Sequence, residues 1–218
     1  RLASDPIVPV VQALMDANPQ VPARILVGDE RVSINPKLNN LVKGWAAAEA
    51  PWVAMIDSNV LLPPDAIDQL LAVWGADTGV ATSPALCSAP DGLWADMECA
   101  FMNTYQARAM LFADTAGIGF AHGKTMLWRK ADLDEAGGIR MLGAEVAEDA
   151  AATKLVRSRG CRVRAVQRPF PQPLGRRTFK EVWDRQVRWA RIRKSAFPMG
   201  FAGEIFAGGV LPAIALAI

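Results

Sequence analysis

Apolar runs alternate with amphipathic ones along the chain, and their order predicts strands feeding helices around a mostly parallel sheet. Ile7 to Ala17 reads as a helix ended by Asn18-Pro19, and Ala23 to Val27 as a short buried strand. Asn35-Pro36 opens a second helix, with proline where its missing N–H costs nothing, running to about Glu49. Trp52 to Ile56 is an apolar strand that ends at Asp57. Pro63-Pro64-Asp65 begins a helix that Gly75 closes, and Val80 to Ser83 reads as a further strand. Leu93 to Phe112 carries apolar and aromatic residues at helical spacing, which predicts a long helix facing lipid or a neighbour on one side. Thr125 to Trp128 reads as another strand, and Ala147 to Arg159 as a helix closed by Gly160. Thr178 to Lys194 is a basic helix whose Trp183 and Trp189 suit a membrane–water interface. The run Ile205 to Ile218 contains no charge but falls short of the about 20 residues that span a bilayer, and it is read as the start of a membrane helix. A buried terminal helix of a soluble domain is the alternative.

Composition narrows the picture. With 218 residues, 51% of them hydrophobic and 21% charged, the chain buries a sizeable core and is neither disordered nor a disulfide-dense secreted scaffold. Its three cysteines, Cys87, Cys99 and Cys161, make no CxxC and leave one over, as expected of buried thiols in a reducing compartment. The single histidine, His122, removes zinc sites built on paired imidazoles. Charge is unevenly spread. Arg157 to Lys194 holds thirteen basic residues against Glu181 and Asp184, while the net charge of the whole chain is only +2. A basic block beside an apolar tail fits anionic lipid and a cytoplasmic orientation. Nucleic acid is the competing polyanion, but no recognition motif or stacking pattern accompanies the arginines.

Four groups of residues carry candidate chemistry. Asp57-Ser58-Asn59 follows an apolar strand directly, which presents a carboxylate at a strand's carboxyl end, where open α/β sheets bind ligands. A hard cation such as Mg²⁺ or Mn²⁺ takes oxygen ligands of that kind and bridges diphosphate oxygens. A loop carboxylate capping the next turn is the plainer reading. Glu148-Asp149 places adjacent acids at a helix start, where they serve either the macrodipole or, through mutual repulsion in a cleft, a general base. Arg185-Gln186-Val187-Arg188-Trp189 puts two guanidinium groups on one helical face, suited to an anion. Asn35, Lys37 and Asn39 supply amide and ammonium donors at a helix N-terminus, a place that suits phosphate. No GxxxxGK[ST] or GxGxxG accompanies them, so a P-loop or dinucleotide fold is not supported, and Gly117-Ile118-Gly119 reads as a turn.

The order of these pieces resembles the ceramide glucosyltransferase family, inverting membrane glycosyltransferases whose signature is three spaced aspartates and a (Q/R)xxRW. The resemblance rests on Asp5-Pro6, Asn35-Pro36-Lys37 with Asn39-Asn40, Asp57, Glu148-Asp149 and Arg185-x-x-Arg188-Trp189. Leu133-Asp134-Glu135-Ala136-Gly137-Gly138 adds to it, and Asp57-Ser58-Asn59-Val60 and Glu98-Cys99-Ala100-Phe101 lie nearer the bacterial branch. It implies an α/β, Rossmann-like nucleotide-diphospho-sugar fold of the GT-A type, with a mostly parallel central sheet flanked by helices and a C-terminal interfacial and membrane helix. The expected division is a catalytic domain over 1–177 lacking the family's first strand and N-terminal membrane helix, a basic interfacial helix over 178–196, and the start of a membrane segment over 197–218. The resemblance further implies a UDP-sugar donor, a ceramide acceptor, a divalent cation and a bilayer as partners, with no nucleic acid, in a multi-pass protein whose active site faces the cytoplasm. Carried over by motif, Asp5, Asn35, Lys37, Asn39, Asp57, Arg185 and Arg188 serve the donor, Asp57 the metal, Asp149 as general base with Glu148 beside it, and Trp189 the acceptor side. Asn59 stands where related enzymes often have a second acid. Two other readings stay open: a processive polysaccharide synthase of the same fold, and a non-enzymatic module that binds membrane surfaces.

Overall fold

The computed structural model describes residues 3–28 and 30–207. Its centre is a four-stranded sheet in the order β1 (Trp52–Ile56), β4 (Thr125–Arg129), β2 (Thr78–Thr82), β5 (Arg162–Ala165). Strands β1, β2 and β5 run in one direction, and β4 is inserted antiparallel between β1 and β2. The α/β architecture with helices on both faces therefore holds, and the insertion of β4 is the refinement that matters for the site.

Side chains alternate across this sheet as the period of a strand requires. Val53 and Met55, Val80, Met126 and Trp128, and Val163 face one core, shared with Leu38, Val42 and Trp45 of α2 (Pro36–Ala47) and Ala151, Ala152 and Val156 of α7 (Glu148–Ser158). Trp52 and Ala54, Ala81 and Leu127 face the other, where Ala66 and Leu70 of α3 (Ala66–Ala72) pack with Phe170. A sheet covered on both faces explains why its strands read as near-continuous apolar runs. Close approach of α7 to β2 depends on Gly79, since a Cβ there would stand 2.8 Å from Val156 Cγ1.

A two-stranded parallel ribbon of β3 (Ala85–Asp91) and β6 (Phe170–Arg176) lies beside this sheet. It packs on α4 (Leu93–Phe101), which continues through a π-helical turn, residues 102–107, into α5 (Arg108–Thr115). The expected helix from Leu93 is present, widened at the middle. Asn103 in the wide turn accepts the Cys87 N–H at 2.8 Å and donates to its C=O at 2.9 Å, so its amide takes the place of a neighbouring strand. The remaining elements are α1 (Ile7–Ala17), α6 (Lys130–Glu135), a 3₁₀ turn (Ile139–Gly143), α8 (Phe179–Ala196) and α9 (Pro198–Ala207). Helix α8 starts on a capping box in which Thr178 and Glu181 satisfy each other's backbone N–H groups.

One expected element is corrected. Ala23–Val27 is an irregular segment with no ladder partner, exposed at Ala23, Arg24 and Val27. Pro22 withholds an N–H just before it, and among the described residues its long-range hydrogen bond is that of the Arg24 guanidinium to the Ala47 carbonyl. The apolar run expected to begin a membrane helix lies mostly in 208–218, outside the described residues. Among the described residues no helix is long and apolar enough to cross a membrane.

Candidate active site

Because β4 runs antiparallel to β1, with Ile56 opposite Thr125, the residue before β4 lies beside the residue after β1. The Asp57 N–H donates to the Lys124 carbonyl at 3.0 Å, which extends the ladder by one step and brings their side chains together. Lys124 Nζ lies 2.8 Å from Asp57 Oδ2 and 3.1 Å from Asn59 Oδ1. On the other side of the carboxylate, Lys37 Nζ lies 2.8 Å from Asp57 Oδ1 and 2.6 Å from Glu148 Oε1, and also donates to the Gly123 carbonyl.

Each member is fixed by its own element. Asn35 caps α2 through its side-chain oxygen, which accepts from the Lys37 and Leu38 N–H groups. Its amide nitrogen then donates to Glu148 Oε2 at 2.6 Å. Asp149 sits in the first turn of α7; its Oδ2 accepts the Gly123 N–H at 2.9 Å and its Oδ1 the Ala150 N–H at 2.8 Å. The loop 119–124 is held on both flanks. The Ala121 N–H donates to Thr153 Oγ1 on α7, and the His122 N–H to Thr82 Oγ1 at the end of β2.

The electrostatics divide these groups into two kinds. Burial pulls the Lys37 ammonium towards neutrality, but Glu148 and Asp57 outweigh that and its pKa lies above the ordinary lysine value. Burial likewise acts to raise Asp57, yet Lys124 and Lys37 together hold its carboxyl below the usual range. Asp149 goes the other way. Burial, with the neighbouring Glu148 charge adding to it, pushes its pKa up to about 6, against partial relief from the Gly123 N–H, Lys37 and the Ala150 N–H. A carboxylate tuned in this direction beside ion-paired acids is the pattern of a group that accepts a proton near neutral pH. His122 is buried and neutral, its pKa lowered to about 4 by burial and then by Lys124 and Lys37.

The other sequence candidates are distributed differently. Asp5 accepts the Ile7 N–H at the start of α1, a helix without buried residues, and makes no contact with this cluster. The Asn39 side chain is spent on its own loop, accepting from Val32 and Ser33 N–H and donating to the Ser33 carbonyl. Arg185 grips Glu98 of α4 with Nη1 at 3.0 Å from both carboxylate oxygens, and Glu98 is only 2% exposed. Trp189 packs on the core of Ala85, Cys87, Ala95, Met102 and Leu174 beneath the ribbon. Arg188 is exposed and has no ion-pair partner among the described residues. Charges of both groups act on Cys87. Its thiol is pushed up to about 11, chiefly by burial and then by Cys99 and Glu98, with Arg185 and Lys124 both opposing.

The expected metal ligand meets a different arrangement. Both Asp57 oxygens are held by ammonium groups, and the Asn59 oxygen is held by one of the same two. Among the described residues no three His, Cys, Asp or Glu side chains gather as a cation site. This donor set does not fit a ready-made cage for a divalent cation, which prefers several free oxygen ligands.

A sequence model of glycosyl transferase family 21 matches residues 1–218. The chain belongs to this family. It is 31% identical over 196 residues to ceramide glucosyltransferase 1 of Caenorhabditis elegans, an alignment covering 89% of this chain and 42% of that protein. Ceramide glucosyltransferase 3 of the same organism is 27% identical, over 90% of this chain and 43% of the relative. The ceramide glucosyltransferase of Komagataella phaffii is 26% identical, over 88% and 49%. The chain thus spans less than half the length of these curated relatives. Within family 21, the residues that the sequence did not point to are Gly123 and Lys124. Their signal was present in the Gly-Lys pair directly before an apolar strand, but it becomes legible only once that strand is known to run antiparallel.

Proposed function

We propose that this family 21 protein transfers a hexose, glucose above others, from a UDP-sugar to the primary hydroxyl of ceramide, yielding a β-glycosylceramide and UDP with inversion at the anomeric carbon. The observation that carries the reading is Asp149: a half-buried carboxylate with its pKa raised to about 6, held at the ends of the strands next to the Lys37–Asp57–Lys124 ion pairs. The names of the relatives support the acceptor and the sugar.

In this reading Asp149 removes the proton from the acceptor hydroxyl as its oxygen attacks the anomeric carbon. Glu148 keeps Asp149 basic through like-charge repulsion and is itself fixed by Asn35 and Lys37. The departing diphosphate gains negative charge, which cationic groups of the chain offset as it develops. We assign Arg188, exposed one turn after Arg185 on α8, as a second cation for that group. The acceptor comes from a bilayer on which the basic helix lies, with the active site on the cytoplasmic side.

The test is product analysis. The intact protein, incubated with UDP-glucose, UDP-galactose and UDP-glucuronic acid and with ceramide, should release UDP and give one product of a single added hexose by mass. A long polymer would point to a processive synthase, and no transfer from any donor would reject the reading.

A further inference from the structure

An ammonium group has three N–H donors. Lys37 spends all of its own on Asp57 Oδ1, Glu148 Oε1 and the Gly123 carbonyl. Lys124 spends two, on Asp57 Oδ2 and Asn59 Oδ1, and makes no third contact among the described residues. Both side chains remain partly open to solvent at the strand ends, 19% for Lys124 and 27% for Lys37, so the donor count and not exposure separates them. The two lysines flank one carboxylate, yet only one has a donor left for a ligand.

From this count we infer that Lys124 is the ammonium that contacts the donor diphosphate, and that Lys37 is a positioning cation which holds Asp57, Glu148 and the Gly123 loop in register. The inference rests on the donor-site reading above. Asp57 and Asn59 then orient an ammonium towards the phosphates. A charge-assisted N–H···O bond to phosphate is about twice as strong as a neutral one, and a point charge with a free donor suits a diphosphate oxygen. The two roles separate in their consequences. Loss of Lys124 removes a phosphate contact and leaves the base pocket alone, whereas loss of Lys37 exposes three acceptors at once.

The experiment compares intact wild-type protein with Lys124→Ala and Lys124→Arg, each first checked for an unchanged melting temperature. UDP is titrated calorimetrically and uridine, which carries no phosphate, is followed by ligand-observed NMR. The expected result is UDP affinity at least tenfold weaker in Lys124→Ala, largely restored in Lys124→Arg, with uridine binding equal in all three. Wild-type UDP affinity in Lys124→Ala overturns the inference while leaving the donor site standing, and so does a parallel loss of uridine binding. A wild-type protein that binds neither UDP nor GDP overturns the donor-site reading and this inference with it.

Discussion

The Gly123 amide donates to Asp149 Oδ2 at 2.9 Å, and a Cβ added at Gly123 would stand 2.7 Å from Glu148 Oε1 and 3.1 Å from that same Asp149 oxygen. The residue is therefore a spacer between two acids and an ammonium, held by backbone alone. Gly123→Ala is expected to push the carboxylates apart, with a loss of stability of about 1–3 kcal/mol as for other overpacked sites. Turnover should fall further than the melting temperature suggests. Denaturant titration alongside a transfer assay checks both, and a fully active alanine variant would show that the acids have room to move.

Asp149→Asn should lower kcat by about 10² to 10⁴, the usual contribution of a general base, while UDP binding changes little. The asparagine oxygen can still accept the Gly123 N–H and gives up only the local contact with the Ala150 N–H, so the fold is expected to persist. The pH profile of the wild type follows from the direction of the shift. As the proposed base Asp149 would act when ionised, so with its pKa raised to about 6, kcat/KM should fall as pH drops through that value. Asp57, lowered below the ordinary carboxylate range by its lysines, stays ionised through the same window and does not contribute to that limb. A profile flat from pH 7 down to pH 5 would remove Asp149 from the role.

Arg185 is the only partner of the buried Glu98 besides a long contact at 3.4 Å from Gln186 among the described residues. Removing the guanidinium by Arg185→Ala strands a desolvated carboxylate, and the expected cost is about 3–5 kcal/mol. Replacing both partners, Glu98→Leu with Arg185→Met, should recover much of that stability, because two apolar groups of similar size leave no orphaned charge. Chemical denaturation of the single and double variants measures the coupling. If Arg185→Ala alone is as stable as wild type, the pair does not anchor α8 to α4.

How much of this was readable from the chain depends on where each residue sits. The strand β1 and helices α1, α2 and α7 announce themselves through apolar period and Asn-Pro or glycine punctuation, and β1, α2 and α7 carry Asn35, Lys37, Asp57, Glu148 and Asp149 into one cluster. Strands β3 and β6 did not. Phe170-Pro171-Gln172-Pro173 and Pro90-Asp91 read as breakers, and they are tolerated because each strand of a two-stranded ribbon has an open edge for residues without an N–H. Strand β5 was hidden in the basic block, although Arg162-Val163-Arg164-Ala165 alternates as a half-buried strand should. Lys124 and Gly123 become legible only from topology, since a mostly parallel sheet gives no reason to place the residue before β4 beside the residue after β1. Glu98 belongs to a stretch that resembles the family, but nothing in a helical segment of mixed polarity shows that its partner lies 87 positions later.

The outer face near α8 supports a last prediction. Phe179 and Trp183 on α8 are 52% and 58% exposed, Trp94 of α4 packs 4.9 Å from Phe179, and Leu93 and Met97 extend the same apolar surface. Arg188, Arg191 and Lys194 lie on the same helix, and Arg176 and Arg177 immediately precede it. Aromatic rings beside basic residues favour the interface of an anionic bilayer, where the rings enter the headgroup region and each cation near the surface adds about 1 kcal/mol. Phe179→Ser with Trp183→Ser should therefore reduce cosedimentation of the intact protein with vesicles containing phosphatidylserine, and should raise KM for ceramide presented in those vesicles. Added salt should weaken the basic contribution and leave the aromatic one. Neither side chain belongs to the Asp149 cluster, so turnover with a short-chain acceptor dispersed in detergent should stay near wild type. Equal loss of activity in detergent and in vesicles would mean that the two rings hold α8 on α4 instead of holding the protein on lipid.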